Sequence, residues 1–301
     1  MAQGGNRRGH GVKRLAIVGI GLMGGALGMA VRQRRLPWTI AACARRPGTR
    51  ELALRLNAAD EVFAAPEQAV HDADLVVFCL PVLAIPVAAS QCRGAFKSGA
   101  VVTDVASTKA ELVTTLDSAF RGLPVNYAGS HPICGSEQTG LEAARPDLYE
   151  DAMVVVTPGR TSSSAAIECV TAFWRSLGAR ISVMEPLRHD RIIARTSHLP
   201  HLVAAMLVDS LHAAEGDLAA DFCGRGFRDT TRIAAGSEEI WHDIVKTNRA
   251  PVGEALVDFE KALRRVKDLV QRGEFDKLRE VLAEARARRT AIGLRLKGNA
   301  S

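Results

Sequence analysis

The segment Gly19-Ile20-Gly21-Leu22-Met23-Gly24 constrains the fold most, because it follows the apolar run Arg14-Leu15-Ala16-Ile17-Val18 without a gap. A short apolar run of this kind reads as a buried strand. The stretch after it, LMGGALGMAVRQRR, has small and apolar residues at helical spacing. Between strand and helix, three glycines so spaced have separate uses. The first permits a tight turn, the second lets backbone approach a ligand, and the third lets the helix pack close to the strand. The helix start then offers free N–H groups and a positive dipole end to an anion. The pattern predicts a βα unit that binds the pyrophosphate of a dinucleotide.

Further apolar runs at 39–45, 74–81, 100–107, 125–132, 152–158 and 179–185 leave room for helices between them. Continuous apolar strands separated by roughly 20 residues argue for a mostly parallel sheet covered on both faces. Residues 13–185 are therefore expected to form a Rossmann-type, doubly wound α/β domain. After Pro186 the strand signals stop, and residues 186–301 read as an all-α domain for substrate binding and dimerisation. Its long helices carry wider apolar faces than a short helical domain buries alone. Residues 1–12 are polar, glycine-rich and basic, and read as a disordered tail.

A chain of 301 residues accommodates about two domains. The net charge of +6 sits largely in the two tails, and the 2 Tyr and 3 Trp do not interleave with basic residues, so a nucleic-acid partner is not expected. Six cysteines without any C-x-x-C pair argue against a metal site and for a reducing, cytoplasmic setting. The sequence shows neither the apolar core of a signal peptide nor the roughly 18 apolar residues of a membrane span, so neither export nor membrane insertion is expected.

The second strand ends Ala42-Cys43-Ala44-Arg45-Arg46, where an NAD-preferring site usually carries an acid for the ribose hydroxyl. Without that carboxylate, Arg45 or Arg46 is free to pair with a 2′-phosphate, which favours NADP while leaving NAD possible. The expected cofactor contacts are Gly19, Gly21, Leu22, Met23, Gly24, Arg45 and Arg46, with Leu80, Pro81 and Asp104 at later strand ends.

Two motifs, DVASTK (104–109) and GSHPICGSEQTG (129–140), fall where strands are expected to end, at the sheet edge that binds ligands. In a stiff loop there, His131 is placed to take a proton from a substrate hydroxyl, and Ser107 to orient that hydroxyl or the imidazole. In the helical half, His198 and His201 flank Pro200, and Arg225, Arg228 and Arg232 cluster near a glycine turn suited to an anion.

Taken together, GIGLMGGALG, CLPV, DVASTK, GSHPICGSEQTG, TSHLPH and GFRDTTRIA followed by Trp241 resemble the prephenate/arogenate dehydrogenase family of tyrosine biosynthesis. The resemblance covers most of the chain from Arg14. It implies hydride transfer from ring C4 of a cyclohexadienol to a nicotinamide, with loss of the ring carboxylate as carbon dioxide. It makes His131 the proton acceptor and Ser107 a partner of both the hydroxyl and the histidine. His201 is implied as a substrate contact, Arg232 as the partner of the ring carboxylate, and Asp229 and Trp241 as pocket residues. Ser136 is placed near the nicotinamide end, and a homodimer through the helical half is implied. Two departures stand out. No chorismate mutase segment or C-terminal regulatory domain is recognisable, and Arg45 and Arg46 replace the acid of NAD-preferring members. Prephenate and arogenate differ by a keto or amino group on the side chain, and neither is singled out.

Two other readings use the same glycine loop. A β-hydroxyacid dehydrogenase or pyrroline-carboxylate reductase also joins a Rossmann domain to helices. The helix lysine of the former is represented only weakly, by Lys246, Thr247 and Asn248. A non-catalytic NADP-binding regulator would have no use for His131 and Ser107.

Overall fold

The structure is a computed structural model that describes residues 13–134 and 138–298. The expected tail at 1–12, and Ser136, lie outside the described residues. The first part alternates β1 (Lys13–Val18), α1 (Leu22–Gln33), β2 (Trp38–Cys43), α2 (Pro47–Arg55), β3 (Glu61–Phe63), α3 (Pro66–Val70), β4 (Leu75–Phe78), α4 (Ala84–Gln91), β5 (Ala100–Asp104), α5 (Ala110–Ala119) and β6 (Val125–Tyr127). The strands form one parallel sheet in the order β3-β2-β1-β4-β5-β6. The order reverses between β1 and β4, so the crevice beyond their carboxyl ends is where such a sheet takes its ligand.

Both faces of this sheet are dry. Along β1, Leu15 and Ile17 belong to one apolar layer, and Ala16 and Val18 to the other. Burial on both sides explains why these strands read as continuous apolar runs rather than alternating ones. The one strand without a sequence signal is β3, three half-exposed residues at the sheet edge.

One expectation needs correction. The run 125–132 is not a single strand, because the chain changes sheet at Ala128. The Ala128 N–H closes on Val102 O at 3.1 Å, ending the pairing of β6 with β5. Next, β7 (Gly129–Ile133) opens a second, three-stranded sheet with β8 (Met153–Thr157) and β9 (Arg180–Val183), backed by α6 (Ser164–Ser176). Strand β7 runs antiparallel to β8, which runs parallel to β9. The crossing is tight: a Cβ on Gly129 would lie 2.7 Å from Thr157 Oγ1 and 3.0 Å from the Tyr127 hydroxyl.

Helices follow, as expected. They are α7 (Pro186–Ile193), a π turn (Ala194–His198), α8 (Leu199–Glu215), α9 (Arg225–Thr231), α10 (Glu238–Thr247), α11 (Arg249–Gln271) and α12 (Phe275–Gly298). Pro186 at the first turn and the Glu185 side chain accepting Arg188 N–H start α7. Ser237 caps α10, with Glu238 and Glu239 in its first turn. The chain divides into two compact units, one through Asn248 and one from Arg249. The first unit thus runs past residue 185: buried polar side chains of α7 bond to β7 and to the start of α5, and Asn248 bonds back to α7. No helix among the described residues is long and apolar enough to cross a membrane.

Candidate active site

The glycine loop has the three geometries its spacing requires. Gly19 adopts φ +99, open to glycine at little cost, and a Cβ there would sit 2.5 Å from Cys79 O. A Cβ on Gly24 would run into the Gly19 carbonyl, so the third glycine lets α1 lie against the loop. Over Gly21 nothing stands within 4 Å. The start of α1 has no side-chain cap and no acidic residue in its first turn. An open backbone cradle at an uncapped, positive helix end fits a pyrophosphate, so these residues suit a nicotinamide dinucleotide. Leu22 and Met23 are partly exposed in that first turn, Leu80 packs against Gly19, and Pro81 is exposed beside it. Arg45 and Arg46 are exposed at the end of β2, and no carboxylate among the described residues pairs with either. Arg50, by contrast, turns its guanidinium onto the carbonyls of Ala44 and Arg45 at 3.0 and 2.8 Å.

The side chain of Asp104, a residue expected among the cofactor contacts, faces inward. It is fully buried, salt-bridged to the equally buried Lys109, and accepts bonds from the Tyr127 hydroxyl at 2.8 Å and the Ala106 N–H at 2.9 Å. Its carboxylate is consumed in holding the loop that carries Ser107. Burial pulls the Lys109 ammonium below its ordinary range, and Asp104 opposes that shift.

His131 lies within β7, opposite Val155, and not in a loop as expected. It is 8% exposed. Its Nδ1 sits 2.8 Å from His189 Nε2, and His189 Nδ1 sits 2.8 Å from Asp190 Oδ1. The two carboxylate oxygens of Asp190 accept the Lys109 and Ala110 N–H groups at 2.8 Å each, capping α5. Burial, and then the nearby charges of His189, Lys109 and His198, hold the His131 imidazole well below its ordinary pKa. The ring is therefore neutral at working pH, the state a proton acceptor needs. Ser107 is half-buried on the loop after β5 and does not hydrogen-bond His131; the imidazole is held by His189 instead.

The second cluster follows the π turn, at whose end Leu199 N–H reaches back to Ala194 O. Pro200 has no N–H to give, and the widened turn precedes it. His201, 6% exposed, stacks on Trp241 with centroids 3.5 Å apart and planes 13° from parallel. Gly236 makes room for the stack, since a Cβ there would lie 2.7 Å from Trp241 Nε1. His198 Nδ1 lies 3.0 Å from Asn248 Nδ2, which also bonds the Asp190 carbonyl at 3.0 Å. Burial pushes the His198 pKa down to about 4. Buried and without a partner among the described residues are His198 Nε2, His201 Nδ1 and Asn248 Oδ1. Arg232 is exposed in the turn after α9, and Asp229 is exposed on α9, 3.4 Å from Arg225.

The structure thus joins His131 to residues for which the sequence reading gave no role. His189 and Asp190 stand on the buried face of α7 with Ile193, and Asn248 ends α10. The available signal was the spacing of α7, which puts a His-Asp pair on the same helical face as an isoleucine.

A parallel sheet with this strand order, an open glycine cradle and a buried neutral imidazole define a nicotinamide-dependent oxidoreductase. Residues 27–183 match the family described as "Prephenate dehydrogenase, nucleotide-binding domain", and residues 185–284 match "Prephenate dehydrogenase, dimerization domain". Cyclohexadienyl dehydrogenase of Zymomonas mobilis is 30% identical over 284 residues, 93% of this chain and 96% of that protein. The crystal structure of prephenate dehydrogenase from A. aeolicus with hydroxyphenyl propionate and NAD+ is 31% identical and superposes with a TM-score of 0.87, over 95% of this chain and 100% of that one. Synechocystis arogenate dehydrogenase is 26% identical, with a TM-score of 0.78 over 92% and 98% of the two chains. The chain belongs to the prephenate dehydrogenase family. It is an oxidoreductase of the prephenate/arogenate dehydrogenase type, using a nicotinamide cofactor for oxidative decarboxylation, and the β-hydroxyacid, pyrroline-carboxylate and regulatory readings are set aside.

Proposed function

We propose that the chain converts prephenate to 4-hydroxyphenylpyruvate, or arogenate to tyrosine, with NADP preferred over NAD and His131 as the proton acceptor. The observation that carries this reading is the buried, neutral imidazole of His131. As hydride leaves ring C4, the C4 hydroxyl becomes a carbonyl and its proton passes to His131. The electron pair of the departing carboxylate then flows into the ring, which becomes an aromatic phenolate as carbon dioxide leaves, and the proton held by His131 returns to its oxygen to give the phenol. The cofactor, when bound, supplies the hydride acceptor. Gly19, Gly21, Leu22, Met23 and Gly24 would hold its pyrophosphate, with Leu80 and Pro81 beside the loop.

Ser107 orients the substrate hydroxyl, and His201, backed by Trp241, contacts the substrate. Arg232 binds the ring carboxylate with Asp229 nearby. Strong pairing of Arg232 with a group that later departs would slow the departure, so its contribution is to binding and orientation. Arg232→Ala is therefore expected to raise KM for the anionic substrate by about tenfold or more with kcat little changed. Steady-state kinetics with an unchanged KM would place the carboxylate elsewhere. The helical half also forms a homodimer; exposed Phe259, Leu263, Phe275 and Leu282 on α11 and α12 supply the apolar surface for it.

The preference for NADP rests on Arg45 and Arg46. Reversing the charge in Arg45→Asp is expected to lower the ratio of kcat/KM with NADP to kcat/KM with NAD by about tenfold or more. An unchanged ratio would transfer the role to Arg46 or remove it from both. The function as a whole is tested by following reduced nicotinamide in four assays that pair prephenate or arogenate with NAD or NADP. No turnover in any of the four would overturn it.

A further inference from the structure

We infer that His189 and Asp190 are positioning residues that fix the tautomer of His131, so that its Nδ1 carries the hydrogen and its Nε2 presents the lone pair toward the substrate. The inference rests on the proposed role of His131 as proton acceptor, and it names the atom that acts.

The hydrogens are counted from the carboxylate outward. Both Asp190 oxygens receive backbone N–H groups, from Lys109 and Ala110, at 2.8 Å. An oxygen pair used in this way is an acceptor toward a third group as well, so His189 Nδ1, 2.8 Å from Oδ1, bears a hydrogen and donates it. His189 is fully buried, and desolvation lowers its pKa, so the ring is neutral and holds only that one hydrogen. Its Nε2 is then a bare lone pair. That lone pair faces His131 Nδ1 at 2.8 Å. Two lone pairs cannot make a hydrogen bond, so the hydrogen between them belongs to His131 Nδ1. A neutral His131 with Nδ1 protonated has an unprotonated Nε2, and no described residue bonds that atom.

The arrangement follows the logic by which a carboxylate sets the tautomer of the histidine in a serine-protease triad, with a second imidazole interposed. When His131 Nε2 takes the C4 hydroxyl proton, the new imidazolium still donates from Nδ1 to His189, with the Asp190 carboxylate behind it. Residue 190 is held at both ends, since its carbonyl also accepts from Asn248 at 3.0 Å. Ser107 is left to the substrate.

The direct test is two-bond proton–nitrogen correlation spectroscopy of the full-length protein labelled with nitrogen-15 histidine, at a pH where the enzyme is active. The His131 signals are assigned by their loss in His131→Asn. A protonated Nδ1 and bare Nε2 are expected; the opposite tautomer overturns the inference. Kinetics give a second measurement. His189→Leu removes the acceptor and is expected to lower kcat by about 10² or more, with the dissociation constant for the dinucleotide within about twofold of wild type. His189→Gln, which can donate to Asp190 and accept from His131, is expected to recover at least about tenfold of that loss. Wild-type kcat in folded His189→Leu, or equal loss of kcat in both variants, counts against the inference. The two levels fail separately. Full turnover in His131→Asn removes the proton-acceptor reading itself, whereas a normal loss there beside wild-type kcat in His189→Leu removes only the tautomer control.

Discussion

Replacing His131 by asparagine is expected to lower turnover by about 10² to 10⁴ while the protein still binds its dinucleotide. Asparagine is smaller but polar, and it can still donate a hydrogen bond to His189, so the fold around β7 should tolerate it. It has no basic nitrogen, so the C4 hydroxyl must lose its proton to water or to no group at all. The glycine loop proposed to hold the pyrophosphate lies at the other sheet, between β1 and α1, and contains none of the atoms removed. Stopped assays of product formation and a fluorescence titration with the reduced dinucleotide separate the two effects. Wild-type turnover in this variant would remove the role assigned to His131.

The second large effect concerns the fold. Asp104→Ala is expected to destabilise the protein by about 3–5 kcal/mol, because it leaves the Lys109 ammonium buried and unpaired. Both side chains are 0% exposed, so water does not compensate the loss. The Tyr127 hydroxyl and the Ala106 N–H lose their acceptor in the same step. A change of that size is a large fraction of the stability of an ordinary domain. Urea unfolding followed by circular dichroism measures it, and a loss below about 1 kcal/mol would mean that the buried lysine gives up its proton or finds another partner.

Much of the nucleotide-binding half is legible in the amino-acid sequence because its signals are local. The glycine spacing, the apolar run before it and the absence of an acid after β2 each lie within a few residues. The change of sheet at Ala128 was not legible, because VNYAGSHP is one apolar stretch and sheet membership depends on the distant partners Val102 and Thr157. The strand β3 escaped because three half-exposed residues at an edge have no periodicity to detect. At the site, the motif around His131 is local and legible, but the groups that hold its imidazole are not. Its holder, His189, is 58 residues away, and a His-Asp pair in an amphipathic helix reads locally as solvated polar surface. The inward turn of Asp104 was missed for the same reason, since the lysine that claims it is recognisable as buried only in the folded chain.

The single residue between β6 and β7 has a consequence for how this enzyme tolerates change during evolution. Ser130 turns toward α6, where its hydroxyl receives the Trp174 indole N–H at 3.0 Å, while His131 turns toward His189 on α7. Neighbouring side chains on a strand alternate between faces. One inserted or deleted residue upstream of β7 would exchange the two sides and put the imidazole where the tryptophan packs. Point substitutions at Ala128 are limited by the space around its buried side chain and by the bond its N–H makes to Val102, but the length of the crossing is fixed. Variation in chain length among descendants of this protein should therefore gather in the loops beyond β7 and spare the crossing itself.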